Sequence, residues 1–349
     1  MTAMNNSKVL IAMSGGVDSS VAAFLLKNNG YECHGATMSL LSDNSGDIDD
    51  AKKIADSLGF SFSVFDFQKE FKTFVVEEFV KAYTLGKTPN PCIFCNKNLK
   101  FSEMLKKSDE MNCKYLATGH YARVELDEKT GKYVLKKAKD ASKDQSYVLY
   151  MLTQDILSRL LLPLGDFSKP EIRKIAEENG LVTAHKSDSQ DICFVPNGDY
   201  AAFIENYLGK TFPQGNFILR DGTVLGKNKG IIHYTLGQRK GLGVSYTKPL
   251  FVCEINTETN NVVLGDNEDL FTDTLKAENV NIISGEDFFA PVRCKAKIRY
   301  KHTESDCTAF VDSDGILNVK FDEPQRAVTK GQAVVLYDGD TVLGGGEII

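Results

Sequence analysis

The sequence predicts an α/β domain built on a parallel sheet, followed by a small β-rich linking domain and a C-terminal β-barrel. As far as residue 207, strand-length apolar runs alternate with helical patterns, which is typical of a parallel sheet with helices on both faces. Beyond that point, short β-prone runs are separated by turn signals such as Arg220-Asp221-Gly222, and no long helical pattern remains. We therefore expect domains at 1–207, 208–270 and 271–349, the last of them a closed or nearly closed barrel.

The first domain is expected to begin with a strand, a glycine-containing loop and a helix. Val9–Met13 is a continuous apolar run, and the apolar residues of 21–25 have helical spacing before Gly30 ends the pattern. The elements predicted next are a helix around Asp49–Leu58, a strand at Phe60–Phe67, a helix at Phe71–Leu85 and a buried strand at Tyr115–Thr118. Ser168 is expected to cap a further helix, with Gly180 as its C-terminal stop.

The composition indicates a globular protein of the cytosol with no membrane partner. The chain has 349 residues, of which 42% are hydrophobic, and no segment approaches roughly eighteen uninterrupted apolar residues. The polar stretch from Met1 to Lys8 does not resemble a signal peptide. A net charge of −6 argues against indiscriminate nucleic-acid binding, so any contact with nucleic acid has to come from local basic patches.

A loop rich in glycine and serine, Ser14-Gly15-Gly16-Val17-Asp18-Ser19-Ser20, lies between the first strand and the first helix. Strand carboxyl ends and a helix N-terminus together favour a bound phosphate there. Glycines let backbone N–H groups approach the anion, serines add donors, and Asp18 can hold a magnesium ion. The loop lacks the signatures of Walker and dinucleotide-binding loops. An ordinary Gly-Ser turn is the alternative.

Three of the eight cysteines lie in polar surroundings. Cys92 and Cys95 belong to a proline-stiffened loop expected just before a helix, where the helix N-terminus and Lys97 would lower the pKa of a thiol. Cys193 lies in a distant polar loop. Cys-x-x-Cys also fits a redox pair or half a zinc site, whose nearby candidate ligands are Cys113 and His120. The remaining cysteines are expected to be structural: Cys33, Cys113, Cys253, Cys294 and Cys307.

Two groups of basic residues are candidate phosphate contacts. The first group alternates with apolar residues, so a strand there would have one basic face; it comprises Arg293, Lys295, Lys297, Arg299 and Lys301. A solvated outer barrel face is the alternative for this strand. The second group comprises Lys136, Lys137, Lys139 and Lys143.

The loop at 14–20 resembles the PP-loop of ATP pyrophosphatases, enzymes that cleave ATP between the α and β phosphates and adenylate a carbonyl oxygen. Segments distributed over nearly the whole chain closely resemble the bacterial tRNA 2-thiouridylase family (MnmA type). They are 14–20, 90–97 with Lys100-Phe101, 118–121, 143–147, 191–194, 234–242 and 323–327. The resemblance implies an adenine nucleotide alpha hydrolase-like fold for the first domain, with ATP and Mg²⁺ as ligands.

The family resemblance also implies a reaction, which is 2-thiolation of the wobble uridine 34 in the tRNAs for Lys, Glu and Gln. ATP first converts the C2 oxygen, a poor leaving group, to an adenylate, and sulfur then displaces AMP. Cys95 is implied as the nucleophile that pairs with the other cysteine, and Cys193 as the carrier of a persulfide that a sulfur donor protein supplies. The implied nucleotide contacts are Ala12, Met13, Ser14, Gly15, Gly16, Val17, Asp18, Ser19, Met38 and Gly119.

Contacts with tRNA follow from the same resemblance: Asn90, Pro91, Cys92, His120, Lys143, Asp144, Gln145, Arg299, Tyr300 and Gln332. Many family members have Asp at the position of Cys92, and that Asp is a candidate general base or base contact, so the resemblance does not by itself assign this role to Cys92. A [4Fe-4S] cluster with one iron left open is held by three thiolates, and this is the number that Cys92, Cys95 and Cys193 would supply. A persulfide relay and a cluster-dependent route both stay open. The rival functions are a PP-loop ligase or amidating enzyme on a small molecule, and a nucleotide-gated RNA-binding protein.

Overall fold

A five-stranded parallel sheet forms the centre of the first domain, in the spatial order Ser61–Asp66, Glu32–Ser39, Lys8–Ala12, Tyr115–Thr118 and Leu160–Leu161. The computed structural model describes residues 7–42, 45–186, 191–285 and 288–349. The strands up to residue 161 are β1 Lys8–Ala12, β2 Glu32–Ser39, β3 Ser61–Asp66, β4 Tyr115–Thr118, β5 Ala122–Asp127, β6 Lys132–Lys137 and β7 Leu160–Leu161. Val9 and Ile11 pack into one hydrophobic cluster and Leu10 into another, because alternate side chains of β1 point to opposite faces. Both faces of β1 are therefore covered, as predicted.

Helices surround this sheet, and two of them contain π-helical segments. The α-helices are α1 Val17–Asn28, α2 Ser45–Leu58, α3 Gln68–Phe71, α4 Glu78–Thr84, α5 Pro91–Cys95, α6 Met104–Glu110, α7 Gln154–Leu157, α8 Lys169–Glu178 and α9 Tyr200–Leu208. The π-helical segment Lys72–Glu77 joins α3 to α4, and Asn96–Glu103 joins α5 to α6. Short 3₁₀ turns lie at Ser146–Leu149, Pro196–Gly198, Ile231–His233 and Glu268–Leu270. Among the described residues, none of the helices is long and apolar enough to cross a bilayer.

Two sequence predictions about helix starts have opposite outcomes. Ser168 caps α8 as predicted: it forms a capping box in which its backbone N–H donates to Glu171 Oε2 at 2.7 Å. The prediction that Cys92 and Cys95 precede a helix is wrong, because α5 already begins at Pro91. The Asn90 side chain accepts the Cys92 backbone N–H at 3.1 Å, and proline is well suited to the first helical position. Both cysteines are therefore helical residues.

The second and third parts of the chain are β structures, as predicted. A four-stranded sheet with the order β10-β11-β8-β9 is built from β8 Asn216–Leu219, β9 Val224–Lys227, β10 Phe251–Asn256 and β11 Asn261–Gly265. The barrel strands are β12 Phe271–Ile282, β13 Val292–Lys297, β14 Ser305–Val311, β15 Leu317–Arg326, β16 Ala333–Asp338 and β17 Thr341–Ile348. Their order is β12-β15-β14-β13-β16-β17, and β12 also pairs with β17, which closes the barrel. Its interior is filled by buried apolar side chains such as Leu317, Val319 and Phe321.

A hairpin of the first domain, β5-β6, extends the barrel sheet through a pairing of Lys136 with Thr341 on β17. Lys137 reinforces this junction, since its Nζ lies 2.7 Å from Glu304 and 4.6 Å from the centroid of the Tyr337 ring. The first domain and the barrel are thus fixed against each other by backbone pairing and charge. The domain limits that we place at 207/208 and 270/271 remain predictions.

Candidate active site

The loop Ser14–Ser20 is held in shape by its own serines. Gly16 is the N-cap of α1, and its carbonyl accepts hydrogen bonds from Ser19 Oγ at 3.1 Å and Ser20 Oγ at 2.9 Å. The Ser14 backbone N–H donates to Ser19 Oγ at 3.1 Å. These bonds fold the loop over the N-terminus of a twelve-residue helix, whose free N–H groups and dipole favour an anion.

Glycine is required at two predicted nucleotide contacts because backbone lies against them. Gly15 has φ +69°, and a Cβ there would be 2.3 Å from the Asp47 carbonyl oxygen. A Cβ on Gly119 would be 2.8 Å from the Ser19 backbone nitrogen. Gly119 follows β4, so the structure brings a second strand end directly onto the nucleotide loop.

The other predicted nucleotide contacts lie at the same edge of the sheet. Ala12 ends β1, and Met38 is close to the end of the neighbouring strand β2. Met13 is 2% exposed and points into the core, while its backbone N–H donates to Ala36 O at 2.8 Å and its carbonyl accepts from Thr37 Oγ1 at 2.6 Å. Met13 therefore shapes this edge through its backbone.

Asp18 pairs with Lys169 and Tyr121, which no sequence motif links to it. Lys169 Nζ donates to both carboxylate oxygens of Asp18, at 2.7 and 2.9 Å, and Tyr121 Oη donates to one of them at 2.7 Å. Lys169 is buried at the start of α8. The carboxylate predicted to hold magnesium is thus already neutralised by a lysine. The only sequence signals for these partners were Tyr121 in the segment 118–121 and Lys169 beside the helix cap.

Cys95 and Cys193 approach each other from separate segments. Cys95 is buried at the end of α5, whereas Cys92 and Cys193 are exposed. Phe194 anchors the Cys193 segment, because its ring packs edge to face on Phe71 and Phe79, with centroids 5.6 and 5.2 Å apart. Although Cys193 is exposed, the surrounding protein raises its pKa to about 11 through desolvation, and the charges of Cys95 and Cys92 add to this rise. The three thiols therefore lie within electrostatic reach of one another.

The prediction that Cys95 has a lowered pKa is wrong. Burial raises the pKa of the Cys95 thiol, and the cation that opposes this rise is Lys100, not Lys97. The physical reason is the position of α5: its N-terminus lies at Pro91 and Cys92, so Cys95 sits at the opposite end of the helix and in the core. At neutral pH, Cys95 is a protonated thiol in this state.

Two of the predicted tRNA contacts of the barrel, Tyr300 and Gln332, lie near the start of α5, whereas a third, Arg299, bonds within the barrel. Gln332 Nε2 donates to the Thr88 carbonyl at 2.7 Å, just before Asn90 and Pro91. Tyr300 lies near Cys92: burial raises the pKa of its phenol most, followed by the charges of Asp144 and Cys92. The Arg299 guanidinium donates to the Arg326 carbonyl at 3.2 Å. The barrel and the cysteine helix thus form one surface.

Other residues that were predicted to contact tRNA make hydrogen bonds within the protein. His120 is buried, its Nδ1 is 2.8 Å from Thr118 Oγ1, and desolvation lowers its pKa well below the ordinary value. Asp144 is buried and accepts from Ser146 Oγ at 2.8 Å. Gln145 Oε1 accepts the Tyr121 backbone N–H at 2.9 Å. These side chains support the site from within, and Lys143 beside them is half-buried. Contact of these residues with tRNA stays a prediction.

The comparisons with known proteins agree with one another. Family models match as "tRNA methyl transferase HUP domain" over residues 7–197, "tRNA methyl transferase PRC-barrel domain" over 201–266 and "Aminomethyltransferase beta-barrel domain" over 272–348. The tRNA-specific 2-thiouridylase MnmA of Clostridioides difficile (strain 630) is 49% identical, over 98% of both chains. That of Lachnoclostridium phytofermentans is also 49% identical, over 98% of this chain and 99% of its own. This chain belongs to the tRNA-specific 2-thiouridylase family.

Membership confirms the resemblance and the predicted enzyme class, tRNA-uridine 2-sulfurtransferase. Among solved structures, a U34-tRNA thiolase NcsA from Methanococcus maripaludis with its [4Fe-4S] cluster matches with a TM-score of 0.37 and 25% identity, over 58% of this chain and 68% of that one. A 4-thiouridine synthetase–RNA complex with bound ATP matches with a TM-score of 0.34 and 18% identity, over 52% of this chain and 43% of that one. These likenesses are too distant to support an argument about the chemistry of this 2-thiouridylase.

A metal or cluster site gains no support from this 2-thiouridylase's own geometry. Within the ranges that the structure describes, no three His, Cys, Asp or Glu side chains are gathered closely enough to hold a metal ion. Cys92, Cys95 and Cys193 do not form a ligand set as they stand, and Cys113 and His120 do not complete a zinc site. The cluster-dependent route stays a prediction.

The predicted basic strand of this 2-thiouridylase is shorter and less positive than expected. β13 ends at Lys297, so Arg299 and Lys301 lie beyond the strand. Arg293 pairs with Asp322, and Lys295 lies opposite Asp306 on β14. The prediction of a continuous basic face over 293–301 is therefore wrong. The second basic group is also compensated in part, since Lys136 pairs with Glu125 at 2.7 Å.

Proposed function

We propose that this 2-thiouridylase replaces the C2 oxygen of the wobble uridine 34 with sulfur in the tRNAs for Lys, Glu and Gln, at the expense of ATP. One observation carries the proposal. Two thiols from distant segments, Cys95 and Cys193, lie within electrostatic reach of each other in the domain that holds the nucleotide loop, and the barrel residues Tyr300 and Gln332 lie near the start of α5, the helix of Cys95. The nearness of a thiol pair to a candidate base site, in the domain of the nucleotide loop, supports the proposal.

The first step activates the base. The C2 oxygen of uridine attacks the α-phosphorus of ATP, the bond between the α-phosphorus and the bridging oxygen breaks, and pyrophosphate leaves with that electron pair. Backbone N–H groups of the loop Ser14–Ser20 and the N-terminus of α1 would stabilise the phosphate charge. Magnesium would arrive on the ATP phosphates, since Asp18 already pairs with Lys169.

The second step transfers sulfur. The terminal sulfur of a Cys193 persulfide attacks C2, the C2–O bond breaks, and AMP leaves with the oxygen. The Cys95 thiolate then attacks the Cys193 sulfur, the bond to the transferred sulfur breaks with its electron pair going to the 2-thiouridine, and a Cys95–Cys193 disulfide forms. A dithiol reductant must reduce this disulfide, and a persulfide carrier or cysteine desulfurase must reload Cys193, before the next turnover.

The target base would lie at the start of α5, against Asn90, Pro91 and Cys92. An anticodon-loop base leaves its stack at low cost, which makes U34 accessible for chemistry. Arg299, Tyr300, Gln332 and Lys143 would meet the tRNA around it. Cys92 is exposed next to Tyr300, so it is suited to contact the base without taking part in sulfur transfer.

The test is a reconstituted thiolation. Hypomodified tRNA is incubated with ATP, magnesium and a persulfide-generating donor, and 2-thiouridine is quantified by nucleoside mass spectrometry. We expect Cys95→Ser and Cys193→Ser to lose product by at least about 100-fold. Cys253→Ser is the matched control, because Cys253 lies in β10 of the middle domain, and it should keep wild-type activity. Undiminished product from Cys95→Ser would refute the mechanism.

Pyrophosphate release separates this function from its rivals. A thiouridylase releases pyrophosphate only when tRNA is added, a small-molecule ligase releases it without tRNA, and a nucleotide-gated RNA-binding protein releases none. Full activity of iron-free protein would exclude the cluster-dependent route, whereas activity that requires anaerobic purification and bound iron would favour it over the persulfide relay.

A further inference from the structure

Two cysteines face each other across neighbouring strands of the barrel. β13 and β14 are antiparallel, and Cys294 on β13 lies directly opposite Cys307 on β14. The Cα atoms of directly opposite residues are about 4.5 or 5.5 Å apart, and both values fall within the range of about 4.4–6.8 Å that a disulfide spans. The two Sγ atoms are 3.6 Å apart and share a hydrogen bond. The strands therefore already hold both thiols where a disulfide can form without a shift of the backbone.

The surroundings of the pair favour a disulfide over other oxidation products. Cys294 is 7% exposed and Cys307 is fully buried, and both belong to the apolar core of the barrel. An apolar core disfavours the charged sulfinate and sulfonate groups of further oxidation, whereas a disulfide is uncharged. The hydrogen bond with Cys307 lowers the pKa of Cys294; burial opposes this, and the charge of Arg293 adds to the lowering. Cys294 is therefore the thiol that ionises first.

We propose that Cys294 and Cys307 are a second dithiol site of this protein, which a small hydroperoxide oxidises reversibly to a disulfide. The site lies in the barrel, on β13 and β14, whereas Cys95 ends α5 of the first domain. It lies outside the proposed thiolation reaction, since neither ATP nor tRNA nor a sulfur donor takes part in its oxidation. The oxidised form would join β13 covalently to β14.

The oxidation takes two steps. The Cys294 thiolate attacks one oxygen of hydrogen peroxide, the O–O bond breaks, and hydroxide leaves with the electron pair, so that Cys294 becomes a sulfenic acid. The Cys307 thiol then loses its proton and attacks the Cys294 sulfur, the S–O bond breaks, and the departing hydroxide takes up a proton to become water. Two thiols are oxidised by two electrons, and one peroxide is reduced to two waters. A dithiol reductant reverses the change.

The experiment oxidises the reduced, folded, full-length protein with hydrogen peroxide. Free thiols are then blocked with N-ethylmaleimide, and the protein is digested without reduction for peptide mass spectrometry. Cys33 is the internal control, because it is equally buried, at 8% exposure, but its thiol donates to the Tyr31 carbonyl at 3.5 Å. We expect at least about tenfold more peptide that links Cys294 to Cys307 than any linked peptide that contains Cys33. Dithiothreitol should remove the link.

Variants identify the origin of the link. Cys307→Ser should lose it and leave Cys294 as a sulfenic acid that dimedone labels, whereas Cys253→Ser is the matched control and should keep it, since Cys253 donates to the Phe251 carbonyl at 3.4 Å. The triple variant Cys92→Ser/Cys95→Ser/Cys193→Ser should also keep the link. Its presence there would show that the disulfide does not arise by exchange with the thiols of the proposed reaction.

Three results on the wild-type protein would overturn the proposal. They are two thiols that stay reduced after peroxide treatment, oxidation of Cys294 to a sulfinic or sulfonic acid without a link, and links that contain Cys33 as often as Cys307. Loss of the link in the triple variant would overturn it as well. Because the measurement uses neither ATP nor tRNA, its outcome does not depend on whether the protein makes 2-thiouridine, and failure of the thiolation assay would reject the proposed function alone.

Discussion

The nucleotide loop is preorganised for its ligand, whereas the cysteine site is not. In the loop Ser14–Ser20, serine hydroxyls, the Gly16 carbonyl and the Asp18 carboxylate all have partners, so its shape is set before a ligand binds. At the cysteine site, desolvation raises the pKa values of Cys95 and Cys193, so both start as protonated thiols. A preorganised loop needs no rearrangement to bind phosphate, whereas the thiols require the help of a charge or a substrate. Four predictions test this contrast.

The largest expected effect comes from crowding the loop. In Gly119→Ala, the new Cβ would meet the backbone of Ser19 and Asp18, which has to shift by several tenths of an ångström. We expect thiolation to fall by about 100-fold, since small misplacements in preorganised sites are costly. Gly46→Ala is the control, because no atom lies within 4 Å of its Cβ, and its activity should stay within about twofold. Wild-type activity of Gly119→Ala would show that the loop is not rigid.

The second prediction concerns the ion pair beneath the loop. Asp18→Asn removes the carboxylate charge 2.7 Å from the Nζ of the buried Lys169, and we expect the free energy of unfolding to fall by about 2 kcal/mol, less than for a fully buried pair because Asp18 is one-third exposed. Urea denaturation measures the change. Glu178→Gln, which breaks an exposed i,i+4 pair with Lys174, should cost less than about 0.5 kcal/mol. An equal loss in both variants would contradict a special role of Lys169.

The third prediction concerns the pH dependence of the thiols. The pKa of Cys193 is about 11, and a raised pKa means that the thiol stays protonated until high pH. Its thiolate fraction, and therefore its alkylation rate, should rise about tenfold for each pH unit from 7 to 9, without reaching a plateau. Site-resolved alkylation by iodoacetamide checks this. A plateau in the alkylation rate near pH 8 would mean that the Cys193 thiol is already ionised at that pH. The cysteine site would then be preorganised, as the nucleotide loop is.

The smallest effect is expected at the start of α8, the helix that supplies Lys169. Ser168→Ala removes one half of the capping box and should reduce the free energy of unfolding by about 1 kcal/mol. Thr153→Ala is the control, because Thr153 precedes α7 without a side-chain capping hydrogen bond, and its change should be within about 0.5 kcal/mol. Thermal denaturation measures both. An unchanged free energy of unfolding in Ser168→Ala would show that the cap does not stabilise the helix that supplies Lys169.

The sequence was sufficient for features that are built from contiguous residues. The loop Ser14–Ser20 could be located because its strand, glycines and helix follow one another, and the cap at Ser168 could be located because Ser168 and Glu171 are three residues apart. The start of α5 was missed although Asn90 and Pro91 are recognised helix-start residues. That error inverted the expected electrostatics of Cys95, because it placed Cys95 at the wrong end of the helix.

Local sequence patterns could not predict contacts between side chains that are far apart along the chain. Lys169 and Asp18 are 151 residues apart in the sequence, and no spacing rule links them. The approach of Cys193 to Cys95 depends on Phe194 packing on Phe71 and Phe79. The positive charge of the basic strand was overestimated. Alternation predicts which residues lie on the same face of a strand, but it does not predict that Asp322 and Asp306 lie on neighbouring strands.

The sequence by itself determined the fold class, the nucleotide loop and the family of this protein, because each depends on short-range patterns or on motifs preserved in order along the chain. Only the tertiary structure decided which charges face which thiols. Desolvation and Coulomb interactions depend on what surrounds a group in three dimensions: burial raises the pKa of Cys95, and the cation that opposes the rise is Lys100, not Lys97.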